Sequence, residues 1–225
     1  MCFIGTPRLK RVFNEGFFSL TAEDMESKER EYSWAFVGQE KGDRSEMLRE
    51  FESLGRSFTY LTDSFMGEDR IGPQEMFDAY CGSHFVLVPF GNKSPDSFRT
   101  MEALKAGSIP VTVLFKGLDH NRFVYGNHPF VVGQNWADAR AKVERILADP
   151  HALESYHHAV QSWFTDYASE LRIDVQRVLQ GESRRGLSSP QFRLQRLASL
   201  NILIQFKYLN HYSSRFRQLT NSSKL

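Results

Sequence analysis

Residues 85–111, with the sequence FVLVPFGNKSPDSFRTMEALKAGSIPV, decide the fold of this chain. Residues 84–88 (HFVLV) are almost wholly apolar, which predicts a central parallel strand covered on both faces. A glycine-containing loop then leads into a predicted helix over residues 95–106, which Gly107 ends. Residues 109–113 (IPVTV) predict the next strand, so the segment is one strand-helix-strand unit.

The rest of the chain repeats this alternation of short apolar runs and helical periodicity. Further strands are predicted at residues 32–37, 58–61 and 130–132, and further helices at 44–54, 73–80, 136–147 and 152–179. Strands that alternate with helices are typical of a parallel sheet with right-handed crossovers. The sequence therefore predicts an α/β fold, a Rossmann-like parallel sheet with helices on both faces and a helical C-terminal extension.

Composition excludes several broad classes of protein. The chain has 225 residues, 28 Lys+Arg against 27 Asp+Glu, 15 Gly and 8 Pro, so it is neither collagen-like, low-complexity nor wholly disordered. A net charge of +1 leaves no global nucleic-acid footprint, and we expect no nucleic-acid partner. Two cysteines, Cys2 and Cys81, form neither a disulfide framework nor metal-ligand spacing.

Charge and composition change along the chain and suggest four segments. Residues 182–225 carry eight Lys or Arg and one acidic residue, whereas the preceding part is mildly acidic. We expect an entry segment or linker at 1–31, a Rossmann-like domain at 32–180, a linker at 181–190 and a basic helical tail at 191–225. No run of about 18 apolar residues, the length of a membrane span, occurs in the sequence.

The loop after the predicted central strand carries the residues suited to chemistry. Ser94 is the expected N-cap of the following helix, with Pro95 at its first position, and free N–H groups there favour an anion. Arg99 adds a positive fork for phosphate oxygens, and Glu102 can accept the hydroxyls of a ribose. The alternative is that Arg99 and Glu102 form only a surface ion pair, three residues apart on one helix.

This segment resembles the donor-binding signature of exostosin-like glycosyltransferases, a resemblance that covers about residues 32–179. The elements that carry it are Pro89-Phe90-Gly91, Ser94-Pro95-Asp96-Ser97, Arg99-Thr100-Met101-Glu102-Ala103 and Gly107-Ser108-Ile109-Pro110-Val111. Upstream, Phe36-Val37-Gly38-Gln39 followed by Arg44 resembles the first strand and helix of that family's C-terminal domain.

The resemblance implies the nucleotide-sugar half of a GT-B enzyme, with UDP the expected nucleotide. It assigns the ribose to Glu102 and the neutralisation of the leaving diphosphate to Arg44. It assigns the diphosphate to Arg99 and to the preceding turn, with Gly91, Asn92, Ser94 and Ser97. Sugar would pass from the nucleotide sugar to a hydroxyl of a glycan or glycoprotein acceptor, with no cofactor and no metal. The sequence contains no Asp-x-Asp motif of the metal-dependent type.

The resemblance also implies what this chain lacks. A GT-B enzyme has two Rossmann-like domains, and its catalytic base commonly lies in the N-terminal one, so the acceptor side is expected from a missing domain or a partner subunit. The catalytic residue is therefore not assigned. Location at the Golgi membrane is implied by the family alone. The alternative is a catalytically inactive module of the same fold that binds a nucleotide or a partner.

Overall fold

Five parallel strands form one sheet at the centre of the fold. The structure is a computed structural model that describes residues 29–62, 71–91, 95 and 97–180. The strands are β1 (Tyr32–Gly38), β2 (Ser57–Leu61), β3 (Ser83–Leu87), β4 (Ile109–Val113) and β5 (Val131–Gly133). They lie in the order β2-β1-β3-β4-β5, and every neighbouring pair is parallel.

Helices connect the strands and extend the fold beyond the last of them. They are α1 (Arg44–Phe51), α2 (Pro73–Cys81), α3 (Arg99–Lys105), α4 (His120–Tyr125), α5 (Trp136–Leu147) and α6 (Pro150–Leu179). This arrangement confirms the predicted α/β, Rossmann-like fold with a helical C-terminus. None of the described helices is long and apolar enough to cross a membrane.

The two faces of the sheet bury separate apolar clusters because side chains alternate along each strand. In β1, Trp34 and Phe36 point to one face, where Met47 and Phe51 of α1 pack together with residues of α5 and α6. Ala35 and Val37 point to the other face, against α2 and α3. β3 divides in the same way, so both central strands are covered on both sides, as their apolar sequence predicts.

Most predicted elements are found within a few residues of their expected bounds, but α3 differs. It begins at Arg99 with Phe98 as N-cap, so the predicted helix start at residue 95 with Ser94 as N-cap is wrong. The side chain of Arg99 donates from Nε to the carbonyl of Val37 at 2.7 Å, and this tertiary bond holds the first turn of α3. The local Ser-Pro signal therefore did not decide where the helix starts.

Two further boundaries differ from expectation. α1 ends at Phe51, three residues before its predicted end, and the apolar Leu54 follows in the turn. Residues 115–129, for which the sequence predicts no helix or strand, contain α4, whose N-cap Asp119 accepts a hydrogen bond from the Asn121 N–H. Pro110 is the second residue of β4.

The chain divides into two compact units, Met1–Arg172 and Ile173–Leu225. The sheet and the helices α1 to α5 belong to the first unit, and the described part of the second is the last stretch of α6. Residues 1–28 and the predicted linker and basic tail at 181–190 and 191–225 lie outside the described residues. The predicted division into four segments stays a prediction.

Candidate anion site at the switch point of the sheet

The carboxyl ends of β1 and β3 form the topological switch point of the sheet. From β1 the chain crosses to β2 on one side, and from β3 it crosses to β4 on the other. Connections that diverge in this way leave a crevice where open α/β sheets bind their ligands. Gly38 ends β1 and Val88 follows β3, so the residues just beyond them line this crevice.

Arg44, the first residue of α1, spans the crevice and is 5% exposed. Its Nη1 donates to the carbonyl of Gln39 at 2.8 Å, and its Nη2 donates to the carbonyl of Phe90 at 3.3 Å. The guanidinium therefore joins the loop after β1 to the loop after β3. Its Nε is buried and has no hydrogen-bond partner among the described residues.

Arg99 approaches the same crevice from α3. Its Nε donates to the Val37 carbonyl at 2.7 Å, and its guanidinium lies 5.1 Å from the centre of the Phe36 ring. Burial raises the pKa of the Tyr80 hydroxyl on α2, and the nearby charge of Arg99 opposes this rise. The guanidinium of Arg99 thus lies between β1, which supplies two contacts, and α2.

Gly38 makes room for Arg99 at the end of β1. Its φ of +149° belongs to the region that side chains rarely adopt, and a Cβ at this position would lie 2.0 Å from Nη2 of Arg99. Glycine is therefore required by the backbone conformation and by the packing of the arginine at once.

The two arginines place positive charge at the crevice, and Asp43 offsets only part of it. Burial and, to a smaller extent, the positive charge of Arg99 lower the pKa of Arg44 to about 10, while Asp43 acts in the opposite direction. None of the ion pairs between described residues involves either arginine. An anion placed between the two guanidinium groups would relieve their repulsion and supply the acceptor that Nε of Arg44 lacks.

Asp43 lies beside Arg44 and contacts two other elements. Its Oδ2 accepts a hydrogen bond from the indole Nε1 of Trp136 at 3.1 Å, and the main-chain N–H of Phe90 acts on the same carboxylate. Burial raises the pKa of this carboxyl, while these donors and the charge of Arg44 oppose the rise. Asp43 is thus a half-buried carboxylate at the border of the crevice, held by hydrogen-bond donors.

The predicted site residues fall into three groups. Arg44 and Arg99 are brought together, and Gly91 follows Phe90 at the crevice and is partly exposed. Ser97, Glu102 and also Arg44 are 6%, 4% and 5% exposed, so each presents little surface to a ligand in this conformation. Asn92 and Ser94 lie outside the described residues.

The burial of Glu102 excludes the alternative that Arg99 and Glu102 form only a surface ion pair. Glu102 is buried on α3, and its charge acts on the Tyr80 hydroxyl, so it does not form an exposed surface pair with Arg99. The expected contribution of a helix N-terminus is also weaker than predicted, because α3 has only seven residues. The charge of the site comes from the side chains.

Sequence reasoning missed Asp43 and Tyr80 as parts of this site. Asp43 directly precedes a helix, a signal for an N-cap, but it is not a side-chain cap of α1 and binds Trp136 instead. Tyr80 belongs to an apolar helix face and is fully buried, so its sequence position predicts core. Neither contact has a local signature, because the partners are remote in sequence.

Other titratable side chains lie in pairs away from the crevice. His84 and His157 pair at 3.1 Å, and His128 lies 3.3 Å from Asp119. A cavity of about 520 Å³ is bordered by β5, α5 and the start of α6, and its Lys142 is paired with Asp138 at 2.8 Å. Within the described ranges, no group of three or more His, Cys, Asp or Glu side chains could hold a metal ion.

Comparison with known proteins adds no family to this picture: no protein-family model matches the chain, and no curated protein matches it. The geometry of the crevice and the residues quoted above for the resemblance are therefore the features that indicate a function.

Proposed function

We propose that this chain is the donor-binding portion of a glycosyltransferase that transfers a sugar from a nucleotide sugar, with UDP the expected nucleotide, to a glycan hydroxyl without a metal. One observation carries the proposal: Arg44 and Arg99 are both fixed to main-chain carbonyls at the switch point, and Asp43 offsets only part of their positive charge. The exostosin-like sequence pattern around these residues supports the same assignment.

The chemistry requires a place for a diphosphate leaving group. The acceptor oxygen forms a bond with the anomeric carbon while the bond from that carbon to the diphosphate oxygen breaks, and the diphosphate leaves with the electron pair. Two preorganised guanidinium groups stabilise the charge that develops there, and their hydrogen bonds to carbonyls spare them reorganisation during the reaction. We assign no base for the acceptor proton among the described residues.

The remaining parts of the donor have candidate contacts near the crevice. The turn containing Gly91, Asn92, Ser94 and Ser97 follows β3 and would bind the diphosphate beside Arg99. Phe90 and Phe115 are partly exposed and pack edge-to-face at 5.1 Å, which offers an aromatic surface next to the arginines. Glu102 would hold the ribose only if ligand binding uncovers its carboxylate, because it is 4% exposed here.

Thermal unfolding with and without millimolar UDP tests the proposal, with GDP and NAD as competing ligands. Ligand at about ten times its dissociation constant adds ~1.4 kcal/mol, which shifts Tm by roughly 3–6 °C for a chain of this size. Arg99→Gln should abolish the shift. Arg122→Gln is the matched control, because it removes the same charge from an arginine whose side chain is 70% exposed on α4.

The outcomes separate the alternatives. A UDP-selective shift that Arg99→Gln removes and Arg122→Gln retains supports the donor site, and Glu102→Ala then tests the ribose contact. A shift of the same size in Arg99→Gln would mean that UDP binds elsewhere. An absence of any shift in folded protein would overturn the proposal. If UDP binds but neither hydrolysis of a UDP-sugar nor transfer to a glycan acceptor occurs, the chain is an inactive nucleotide-binding module.

A further inference from the structure

The main chain of Phe90, in the loop after β3, is held at both of its polar groups. Arg44 donates from Nη2 to the Phe90 carbonyl at 3.3 Å. The Phe90 N–H acts on the carboxylate of Asp43, the residue next to Arg44 in the chain. Two consecutive residues at the start of α1 therefore contact the two peptide groups on either side of Phe90, in the loop that leads into the predicted diphosphate turn.

Trp136 holds the carboxylate of Asp43 in position. Its indole Nε1 donates to Asp43 Oδ2 at 3.1 Å, and its ring is 1% exposed and packs edge-to-face on Phe51 at 6.3 Å. Trp136 begins α5, whose N-cap Asn135 accepts a hydrogen bond from the Asp138 N–H at 2.9 Å. Because the indole is packed in the core and its helix is capped, the hydrogen bond from Trp136 restricts the position of the Asp43 carboxylate.

We propose that Asp43 is a positioning residue of the anion site, which fixes Arg44 and the loop at Phe90 so that the arginines can bind a diphosphate. This inference rests on the proposed function, because it assigns a role within the same site. Asp43 touches no ligand in this proposal and acts through Arg44 and the main chain of Phe90.

The charge of Asp43 and its positioning role predict opposite changes in anion affinity when this residue is replaced, which makes the proposal testable. A carboxylate beside Arg44 weakens the attraction of the site for an anion, so its neutralisation alone would tighten anion binding. Loss of the contacts that Asp43 makes would weaken anion binding, because Arg44 and the loop at Phe90 would sample other positions. The sign of the change in affinity decides between the two.

The experiment measures binding of inorganic pyrophosphate to the full chain by titration calorimetry. Asp43→Asn keeps the shape of the side chain but has one acceptor oxygen and places an amide N–H₂ where two donors converge. We expect binding about ten-fold weaker than wild type. Glu46→Gln is the matched control: it removes one negative charge from an exposed residue in the first turn of α1, and we expect unchanged or slightly tighter binding.

A spectroscopic readout distinguishes positioning from a general loss of structure. The indole N–H resonance of Trp136 should shift when pyrophosphate binds the wild type and should not respond in Asp43→Asn. The indole of Trp34, which donates to the Leu54 carbonyl at 3.0 Å, provides an internal reference for the fold. If Asp43→Asn does not fold, Trp136→Phe removes the donor and leaves Asp43 intact, and binding should again weaken.

Each result decides the inference. Pyrophosphate binding to Asp43→Asn as tight as or tighter than to wild type overturns it, and the proposed function survives if Arg99→Gln still abolishes binding. In the absence of a folded Asp43→Asn, unchanged binding in Trp136→Phe overturns it equally. Failure of the wild type to bind pyrophosphate overturns the proposed function and this inference together.

Discussion

Replacement of Gly38 by alanine separates the geometry of the anion site from the stability of the fold. The new Cβ would lie 2.0 Å from Nη2 of Arg99, whereas real Cβ contacts stay beyond 3.0 Å, so the guanidinium must withdraw by about 1 Å. Because the arginine is a flexible side chain, it can move without unfolding the sheet. Its Nε bond to the Val37 carbonyl, now 2.7 Å, is lost or stretched as it moves.

The expected magnitudes follow from these contacts. A side chain at φ +149° costs about 1–3 kcal/mol of strain, and Tm falls by roughly 2–4 °C for each of those kcal/mol in a chain of 225 residues. Displacement of Arg99 removes charge-assisted hydrogen bonds to the anion worth about 1.5–3 kcal/mol. We therefore expect UDP or pyrophosphate to bind about 10- to 100-fold more weakly.

Gly117→Ala is the control for strain alone. Gly117 also has a positive φ, +77°, but a Cβ there meets nothing within 4 Å. It should lower Tm and leave binding of UDP and pyrophosphate unchanged in calorimetry. The reasoning fails if Gly38→Ala binds these ligands as tightly as Gly117→Ala, because Arg99 would then have no part in holding them.

Three further predictions concern stability. Burial lowers the pKa of His157 from 6.5 to about 3, so between these pH values the unfolded chain binds a proton that the folded chain does not. The free energy of unfolding should therefore decrease by up to about 1.4 kcal/mol for each pH unit below pH 6.5. Urea titrations at pH 7 and pH 5 should show a smaller loss of stability in His157→Gln than in the wild type. Arg30→Gln removes guanidinium bonds to the carbonyls of Cys81 and Gly107, 2.9 and 2.8 Å long, and should cost more than about 2 kcal/mol; an unchanged Tm would contradict this role. Gly133→Ala places a Cβ 2.5 Å from the main-chain N of Ala139, so it should cost about 1–3 kcal/mol in chemical denaturation, more than Gly117→Ala.

The strands and most helices were predictable because their signals are local. β1 and β3 are short continuous apolar runs, the pattern of strands buried on both faces, and α5 begins and ends at its predicted residues. α4 was missed because six residues give too little periodicity, although its cap Asp119 is a recognisable signal. The predicted start of α3 was wrong: the helix begins at Arg99, whose side chain is hydrogen-bonded to Val37, and not at the local Ser-Pro pattern.

The site was predictable only in part. Arg99 was predicted from its place near the helix start and Arg44 through a resemblance. Their meeting depends on β1 and β3 being neighbours, which no local pattern specifies. Asp43 and Tyr80 act through contacts to Trp136 and Arg99, which are far away in sequence. Polar residues whose partners are remote look like ordinary cap or core residues until the fold brings the partners together.

The charge of the crevice links folding to binding. Arg44 is 5% exposed and carries a pKa lowered by burial and by Arg99, so its positive charge costs stability in the protein without ligand. Carbonyls of Val37, Gln39 and Phe90 hold the two guanidinium groups in place but, as neutral acceptors, they do not cancel the charge. A dianionic ligand can reduce this cost, because Asp43 offsets only part of the positive charge of the two arginines. Binding at the switch point should therefore stabilise the central strands as well as occupy a surface crevice.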